Sequence, residues 1–534
     1  MVSSRSIAVV KKRLPILFIV CLLAGITLRC TNAAHKVYWH DEVYTTIRVL
    51  GHSGEAIEAQ LLQKPVVSAS ELQSLQKFPD SRRWSDTWSA LVSHPEHPPL
   101  FYLLERLWVG IFSPSITSFR ALAIGFGLGV LPLTYWTAQQ LWQDHWAGLI
   151  ATCLMAVSPV QLLYAQEARE YSLWACLILF TNGCLLYAVR SSSRYSSNAV
   201  VMRSPKVDIL RHWGLYSLSV ALMLYTTLLS IFVVIAHSLY VLISGSQQHW
   251  RRFVIAVGVA FLSFVPWLFV ILNNRAKLES ATEWTSFRQP LEQLVKFWGL
   301  HLSSTVIDLG VPLEHWYTYL VPPIVLILVL IALWQLLLVT PLSTMAFCIV
   351  TLMVPALGLI LPDLINGGQL SISTRYFIPS LLMVTLILAG WLRQLILSDR
   401  GIYRVWGQGI LALLLAVGLV SGISSAASFT WWNKNIGYHI NTMGDVIRQT
   451  ETPLVIAKID ATGLGNMISL SYAVAPDTAF VLFQSDKISE IPAGYSDYFI
   501  AYASGEFLDA IALNTGKSPV LAGGDYPLWR LEDK

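Results

Sequence analysis

Long apolar stretches separated by short polar segments make up most of the first 430 residues. An α-helix of about 17–25 apolar residues spans a bilayer, and stretches near that length recur. They fall at 14–26, 98–113, 118–140, 145–164, 171–189, 213–243, 253–272, 318–339, 343–361, 376–392 and 407–428. The stretch at 213–243 is long enough for two spans. The pattern predicts a polytopic α-helical membrane protein with about 11 transmembrane helices.

Basic residues predict which side of the membrane each polar segment occupies. Three of them, at 11–13, precede the first apolar stretch, which indicates a cytoplasmic N-terminus and an uncleaved first helix. We therefore expect a multi-pass protein of the plasma or inner membrane, with 30–97 as its first extracytoplasmic loop. Since 165–171 is also expected outside, one of the three stretches between 98 and 164 should be re-entrant or interfacial.

The last hundred residues have a different pattern. "PLVIAKI", "AFVLF" and "DYFIAYA" are short apolar runs between polar turns, which is typical of buried strands. We expect a transmembrane module over 1–430, followed by a small extracytoplasmic α/β domain over 431–534.

Composition agrees with a membrane protein. Hydrophobic residues make up 54% of the chain and charged residues only 13%, against about 25% charged in soluble domains. The net charge of +4 says little by itself, and we expect no nucleic-acid partner. All six cysteines lie in or at the ends of apolar stretches, so a disulfide framework or a CxxC metal site is not expected.

"YWHDEVYT", residues 38–45, places two adjacent carboxylates, Asp41 and Glu42, soon after the first apolar stretch. Ionised carboxylates near a bilayer are costly unless they are hydrated, paired or bound to a cation. The pair is therefore either part of a solvated loop or part of a functional site, and these residues alone leave both readings open.

"SHPEHPPLFYLL" is the second polar group next to an apolar stretch. Its paired prolines suit the start of a helix, where missing N–H groups cost nothing. Glu96 and His97 would then lie at the outer mouth of that helix, whose N-terminus favours an anion such as phosphate. The alternative is an ordinary helix start with polar residues before it.

Two further groups contain arginine on the same expected side. "YAQEAREYSLW" brings Glu167, Arg169 and Tyr171 between two apolar stretches, and "STRYFIP" puts Arg375 and Tyr376 at the start of another. An interfacial arginine either extends harmlessly towards water or, if it faces a cavity, binds phosphate. Both interpretations stay open at this point.

One enzyme class needs these groups on one side of a membrane. A lipid-linked sugar donor holds its phosphate at the headgroup level and its sugar in water. Transfer to a hydroxyl needs a general base for the acceptor and positive groups for the leaving phosphate. A carboxylate, a helix mouth and one or two arginines supply that set.

Taken in order, these motifs resemble the GT-C membrane glycosyltransferases. More closely, "WHDEVYT", "HPEHPPLFYLL", "SPVQLLYAQEAREYSL" and "STRYFIPSL" are similar to the protein O-mannosyltransferase and lipid A aminoarabinose transferase superfamily, with its family-39-like bacterial branch. The match covers about residues 10–430. It implies an inverting transferase that moves a sugar from a polyprenyl-phosphate donor to a hydroxyl of a glycolipid, protein or envelope glycan on the non-cytoplasmic face.

The resemblance also implies roles for the first two motifs. Asp41 would be the catalytic base, and Glu42 would assist it or orient the acceptor. Glu96 and His97 would line the pocket for the donor phosphate and sugar. Many relatives have a basic residue where His97 stands, so its charge would depend on pH.

Later motifs would bind the donor lipid phosphate. Glu167, Arg169 and Tyr171 match the family's "EAR-x-Y" motif, and Arg375 and Tyr376 match a late "RY". The sequence departs from many relatives at position 227, where a threonine replaces a histidine. "HDE" and "HPEH" could ligate a divalent cation, but no spacing demands one, so we assign no metal site.

The sequence leaves two other functions open, a transporter or flippase and a non-catalytic subunit. A transporter or lipid flippase would have many spans too, but it should place ionisable groups and broken helices near the bilayer midplane, often in paired repeats. No internal repeat is visible, and the polar groups gather at the ends of apolar stretches. A non-catalytic assembly or polysaccharide-binding subunit would show no turnover with any donor.

Overall fold

The protein is mostly helical in a computed structural model, which describes residues 2–78, 83–197, 205–459, 463–486, 488 and 490–533. The first helices are α1 (Val2–Cys30), α2 (His40–Leu50), α3 (Gly54–Leu62), α4 (Ala69–Ser74), α5 (Trp84–Val92), α6 (Leu100–Phe112), α7 (Ile116–Trp142), α8 (His145–Val157), α9 (Pro159–Ala165), α10 (Tyr171–Ser197) and α11 (Pro205–Leu224). The others are α12 (Ser230–Ser244), α13 (Gln247–Asn273), α14 (Arg275–Thr282), α15 (Leu291–Ser303), α16 (Tyr317–Leu337), α17 (Leu342–Asn366), α18 (Ile378–Ile396), α19 (Gly401–Ala427), α20 (Ile440–Ile447), α21 (Gly463–Ser471) and α22 (Gly505–Thr515).

Seven helices within the described residues are long and apolar enough to cross a membrane: α7, α10, α13, α16, α17, α18 with its preceding turn, and α19. The consecutive helices α8 and α9 meet the same criterion together, with a 61° bend between them, as a broken span or a re-entrant loop. Leu14–Cys30, Ile209–Leu224 and Ser230–Ser244 are shorter apolar helices. The predicted polytopic helical membrane fold is confirmed, and the count of about 11 spans stays a prediction.

A six-stranded mixed sheet forms near the C-terminus. Its strands are β1 (Val67–Ser68), β2 (Pro453–Lys458), β3 (Ala479–Phe483), β4 (Asp497–Ala501), β5 (Ser518–Leu521) and β6 (Leu528–Glu532), in the order β1-β3-β2-β4-β6-β5. The central strand β2 pairs in parallel with β3 and β4, and β6 is antiparallel to β4. The three strands expected from the apolar runs are therefore confirmed.

One strand of the sheet, β1, comes from the first polar loop. The sequence pattern did not predict this strand. Val67 of β1 pairs with Phe480 of β3 in antiparallel register. Directly after it, Ser68 caps α4: Glu71 N donates to Ser68 Oγ (3.2 Å), and Ser68 N donates to Glu71 Oε2 (2.9 Å). This reciprocal capping box fixes the direction in which the loop leaves the sheet.

The chain forms two compact units, each built from several segments. The first unit comprises Met1–Thr31, Val92–Phe101 and Ala121–Ala427, and the second comprises Asn32–Leu91, Tyr102–Arg120 and Ser428–Lys534. The second unit therefore contains the sheet, the acidic pair and most of the first loop. The division into domains over 1–430 and 431–534 stays a prediction.

Candidate functional site

The acidic pair lies in the first turn of α2, in the second unit. Carboxylates in a first turn are stabilised by the free N–H groups and the dipole of the helix. Asp41 is half-buried, whereas Glu42 is only 1% exposed. The two adjacent carboxylates therefore lie in different environments, and Asp41 is the less buried of the two.

Arg120 neutralises Glu42. Its Nε donates to Glu42 Oε1 (2.8 Å) and its Nη2 to Glu42 Oε2 (2.7 Å), which is a bidentate pair. Nη1 also donates to the carbonyls of Ala33 (2.7 Å) and Lys36 (3.0 Å), and Nη2 to that of Val37 (2.8 Å). One guanidinium group thus fixes both Glu42 and the segment that leads into α2.

Sequence reasoning missed Arg120. The residue stands near the start of an apolar stretch, where a buried charge is costly unless it has a partner, and that cost was the available signal. Its partner, Glu42, precedes it by 78 residues, so no local pattern joins the two.

Two other titratable side chains are buried near this ion pair. Burial, and then the positive charges of Arg120 and Lys434, lower the pKa of Lys36 to about 7. Glu105, in α6, is fully buried. Neither carboxyl oxygen of Glu105 has a hydrogen-bond partner among the described residues.

Glu96 and His97 lie in the first unit, immediately before the paired prolines. His97 Nε2 is 3.6 Å from Glu96 Oε1, and their side chains are 19% and 13% exposed. The backbone N–H of Leu100, the first residue of α6, donates to the carbonyl of Tyr225 (3.0 Å). The motif is thus held against α11 at the start of a helix, as its prolines predict.

Four of the predicted site residues come together in the first unit. Arg169 Nη2 donates to Glu170 Oε1 (3.3 Å) and to the hydroxyl of Tyr171 (3.2 Å). The guanidinium carbon of Arg375 lies 5.9 Å from the ring centroid of Tyr171 and 5.3 Å from that of Tyr376. Two arginines therefore share one tyrosine, although more than 200 residues separate them in the sequence.

Glu167 belongs to the same turn, between α9 and α10. The backbone N–H of Arg169 donates to its carbonyl (2.7 Å), and its side chain is only 1% exposed. The "EAREY" turn thus buries two carboxylates beside Arg169, those of Glu167 and Glu170.

Polar contacts position Arg375. His301 Nε2 contacts the carbonyl of Ser371 (3.1 Å), and its Nδ1 contacts Thr374 Oγ1 (2.9 Å). Asp363 accepts a hydrogen bond from the backbone N–H of Leu370 (2.9 Å). Burial lowers the pKa of His301 to about 3, so this histidine is neutral and acts through hydrogen bonds.

No metal site is evident among the residues that the structure describes. Within those ranges, no group of three or more His, Cys, Asp or Glu side chains is placed to hold a metal ion.

The fold matches solved membrane proteins. ArnT from Cupriavidus metallidurans in the apo state aligns at 12% identity over 97% of both chains, with a TM-score of 0.51. The structure of the same enzyme bound to undecaprenyl phosphate aligns at 14% identity over 97% of both chains, with a TM-score of 0.50. The chain has the fold of ArnT. At the level of the fold, this confirms the GT-C resemblance that the sequence motifs indicated.

Other comparisons add less. The archaeal oligosaccharyltransferase AglB from Archaeoglobus fulgidus, in complex with an inhibitory peptide and a dolichol-phosphate, aligns at 13% identity. That alignment covers 88% of this chain and 64% of AglB, with a TM-score of 0.49. No protein-family model matches the sequence, and no curated protein matches it significantly.

Proposed function

We propose that the protein is an inverting membrane glycosyltransferase that moves a sugar from a polyprenyl-phosphate donor to a hydroxyl acceptor. The ArnT fold and the presence of undecaprenyl phosphate in one ArnT structure support this class of donor. The observation that carries the proposal is that the two carboxylates of the acidic pair lie in different environments. Arg120 binds both oxygens of Glu42, and Asp41 is the less buried carboxylate on the same helical turn.

In this proposal Asp41 is the general base. It accepts the proton of the acceptor hydroxyl while the hydroxyl oxygen attacks the anomeric carbon. The bond between that carbon and the phosphate oxygen breaks, and polyprenyl phosphate leaves with the electron pair. Attack from the opposite face inverts the anomeric configuration. Glu42, paired with Arg120, orients Asp41.

The arginine cluster would bind the donor phosphate. Arg169 and Arg375 supply positive charge, which stabilises the leaving phosphate, and Tyr171 and Tyr376 hold the two guanidinium groups in place. Glu167 fixes the turn that carries Arg169.

We assign the remaining predicted pair, Glu96 and His97, to the donor pocket. A protonated histidine beside a carboxylate can donate a hydrogen bond to a sugar hydroxyl or a phosphate oxygen, whereas a neutral ring with its proton towards Glu96 can accept one from a sugar hydroxyl.

The test is turnover with purified protein in detergent. A radiolabelled polyprenyl-phosphate sugar should yield free polyprenyl phosphate when an acceptor is present. Asp41→Asn should abolish that release while the protein stays folded. Asp86→Asn is a matched control, because Asp86 is also a half-buried aspartate in the first turn of a helix in the same loop. Full activity of Asp41→Asn would show that this residue is not the base.

We further propose that the active site and the C-terminal segment face away from the cytoplasm and that the N-terminus lies inside. Leu513 is 87% exposed and suits a single-cysteine probe in a cysteine-free background. A membrane-impermeant maleimide should label Leu513→Cys in intact cells. If labelling requires cell lysis, the C-terminal segment faces the cytoplasm and the proposed orientation is wrong.

A further inference from the structure

Helix α21 packs on the helix that carries the acidic pair, and the contact lies within the second unit. At Gly465 a Cβ atom would lie 2.7 Å from His40 Nδ1 and 2.8 Å from Tyr44 Cε2. Real Cβ atoms essentially never approach other atoms that closely. His40 precedes Asp41 directly and Tyr44 follows two residues after Glu42, so a side chain at 465 would push against both sides of the pair.

A second contact lies one helical turn further along α21. Ser469 Oγ donates to the carbonyl of Tyr38, and the Tyr38 ring meets Tyr472 edge-on at 5.9 Å. Residues at i and i+4 share one face of a helix, so Gly465 and Ser469 present the same face to residues 38–44. Ser469 is 1% exposed. The backbone before Asp41 and the side chains around it are therefore both held by α21.

These two residues are not required by the sheet itself. The core of the sheet is built from larger apolar side chains, namely Leu454, Ile456, Val481, Phe483, Ile500, Phe507, Ile511 and Leu531. Glycine inside a helix costs about 0.5–1 kcal/mol relative to alanine. A helix with glycine where it meets His40 and Tyr44, the residues that flank the acidic pair, breaks a local rule, and such exceptions occur at functional sites.

We propose that α21 is a positioning element of the transfer site. Gly465 and Ser469 set the orientation of α2 and thereby the direction in which Asp41 meets the acceptor hydroxyl. The C-terminal segment would thus contribute to the chemistry of the proposed transferase, on which this inference rests. A general base must lie within hydrogen-bond reach of the proton it takes, and a displacement of about 1 Å can cost about 10²-fold in rate.

The experiment compares serines on one helix. Ser469→Ala removes the bond to Tyr38, whereas Ser471→Ala removes only a bond within α21, from Ser471 Oγ to the carbonyl of Ile468 (2.7 Å). We expect kcat of Ser469→Ala to fall about ten- to hundredfold with an unchanged KM for the donor. Ser471→Ala should keep the wild-type kcat. Hydrogen exchange of residues 38–46 should rise in Ser469→Ala alone.

A glycine pair tests the second contact. Gly465→Ala should lower kcat in the same way, whereas Gly505→Ala should not, because nothing lies within 4 Å of a Cβ at 505. The inference is wrong if each control variant loses as much kcat as its test variant. It is also wrong if Ser469→Ala and Gly465→Ala both keep the wild-type kcat and the wild-type hydrogen exchange. If the wild type transfers no sugar, the proposed function fails, and the exchange of residues 38–46 still decides whether α21 holds α2.

Discussion

Replacing Arg120 by methionine tests the central ion pair of the second unit. The substitution keeps a long unbranched side chain and removes the guanidinium group. Five hydrogen bonds are lost, two of them to Glu42 and three to backbone carbonyls. Since both side chains are only 1% exposed, water cannot replace the lost guanidinium group, and the buried Glu42 carboxylate loses its bidentate partner.

The burial of the pair determines the magnitude. Removing one partner of a buried ion pair costs about 3–5 kcal/mol. A surface pair contributes under about 1 kcal/mol, and the chain contains a suitable one: Arg275 and Glu279 have the same N–O separation of 2.7 Å, but their side chains are 77% and 62% exposed. Equal N–O separation with unequal burial makes Arg275→Met the control, although the Arg275 pair is joined by one hydrogen bond and the Arg120 pair by two.

The assay is thermal unfolding of purified protein in detergent, followed by tryptophan fluorescence, together with turnover. We expect Arg120→Met to lower the melting temperature by several degrees and the rate of transfer by about 10²-fold, because Asp41 loses its support. Arg275→Met should change neither quantity measurably. The double variant Arg120→Met/Glu42→Met should recover part of the lost stability, since the buried carboxylate is then removed together with the guanidinium group.

Two results would refute this reasoning. If Arg120→Met and Arg275→Met destabilise the protein equally, burial does not set the strength of the pair. If the double variant is no more stable than Arg120→Met, the loss does not come from leaving the Glu42 carboxylate without its guanidinium partner.

Two further predictions concern pH and donor binding. The lowered pKa of Lys36 means that its buried charge costs most below pH 7, so the stability gained by Lys36→Met should be largest at pH 6 and fade towards pH 10.5. His301→Phe removes the contacts that hold the segment before Arg375 and should raise the donor KM, equally from pH 6 to 8 because His301 stays neutral.

Local patterns in the sequence were enough to predict the fold class and to identify the motifs. Apolar runs of bilayer length predict membrane helices because each helix satisfies its own backbone hydrogen bonds in lipid. The runs that became β2, β3 and β4 were recognisable because burial selects apolar side chains along the whole strand. The sequence predicted Arg169, Tyr171, Arg375 and Tyr376 only on the same side of the membrane, and the structure places all four together.

The partners of the acidic pair depended on tertiary structure. Asp41 and Glu42 are adjacent carboxylates in the sequence, and only folding brings Arg120 to Glu42 and leaves Asp41 less buried. Likewise, no pattern near residue 40 reveals that Gly465 will pack against His40. The physical reason is that the hydrophobic pattern of a segment depends on its own neighbours, whereas the charge state and orientation of a carboxylate depend on groups that arrive from distant parts of the chain.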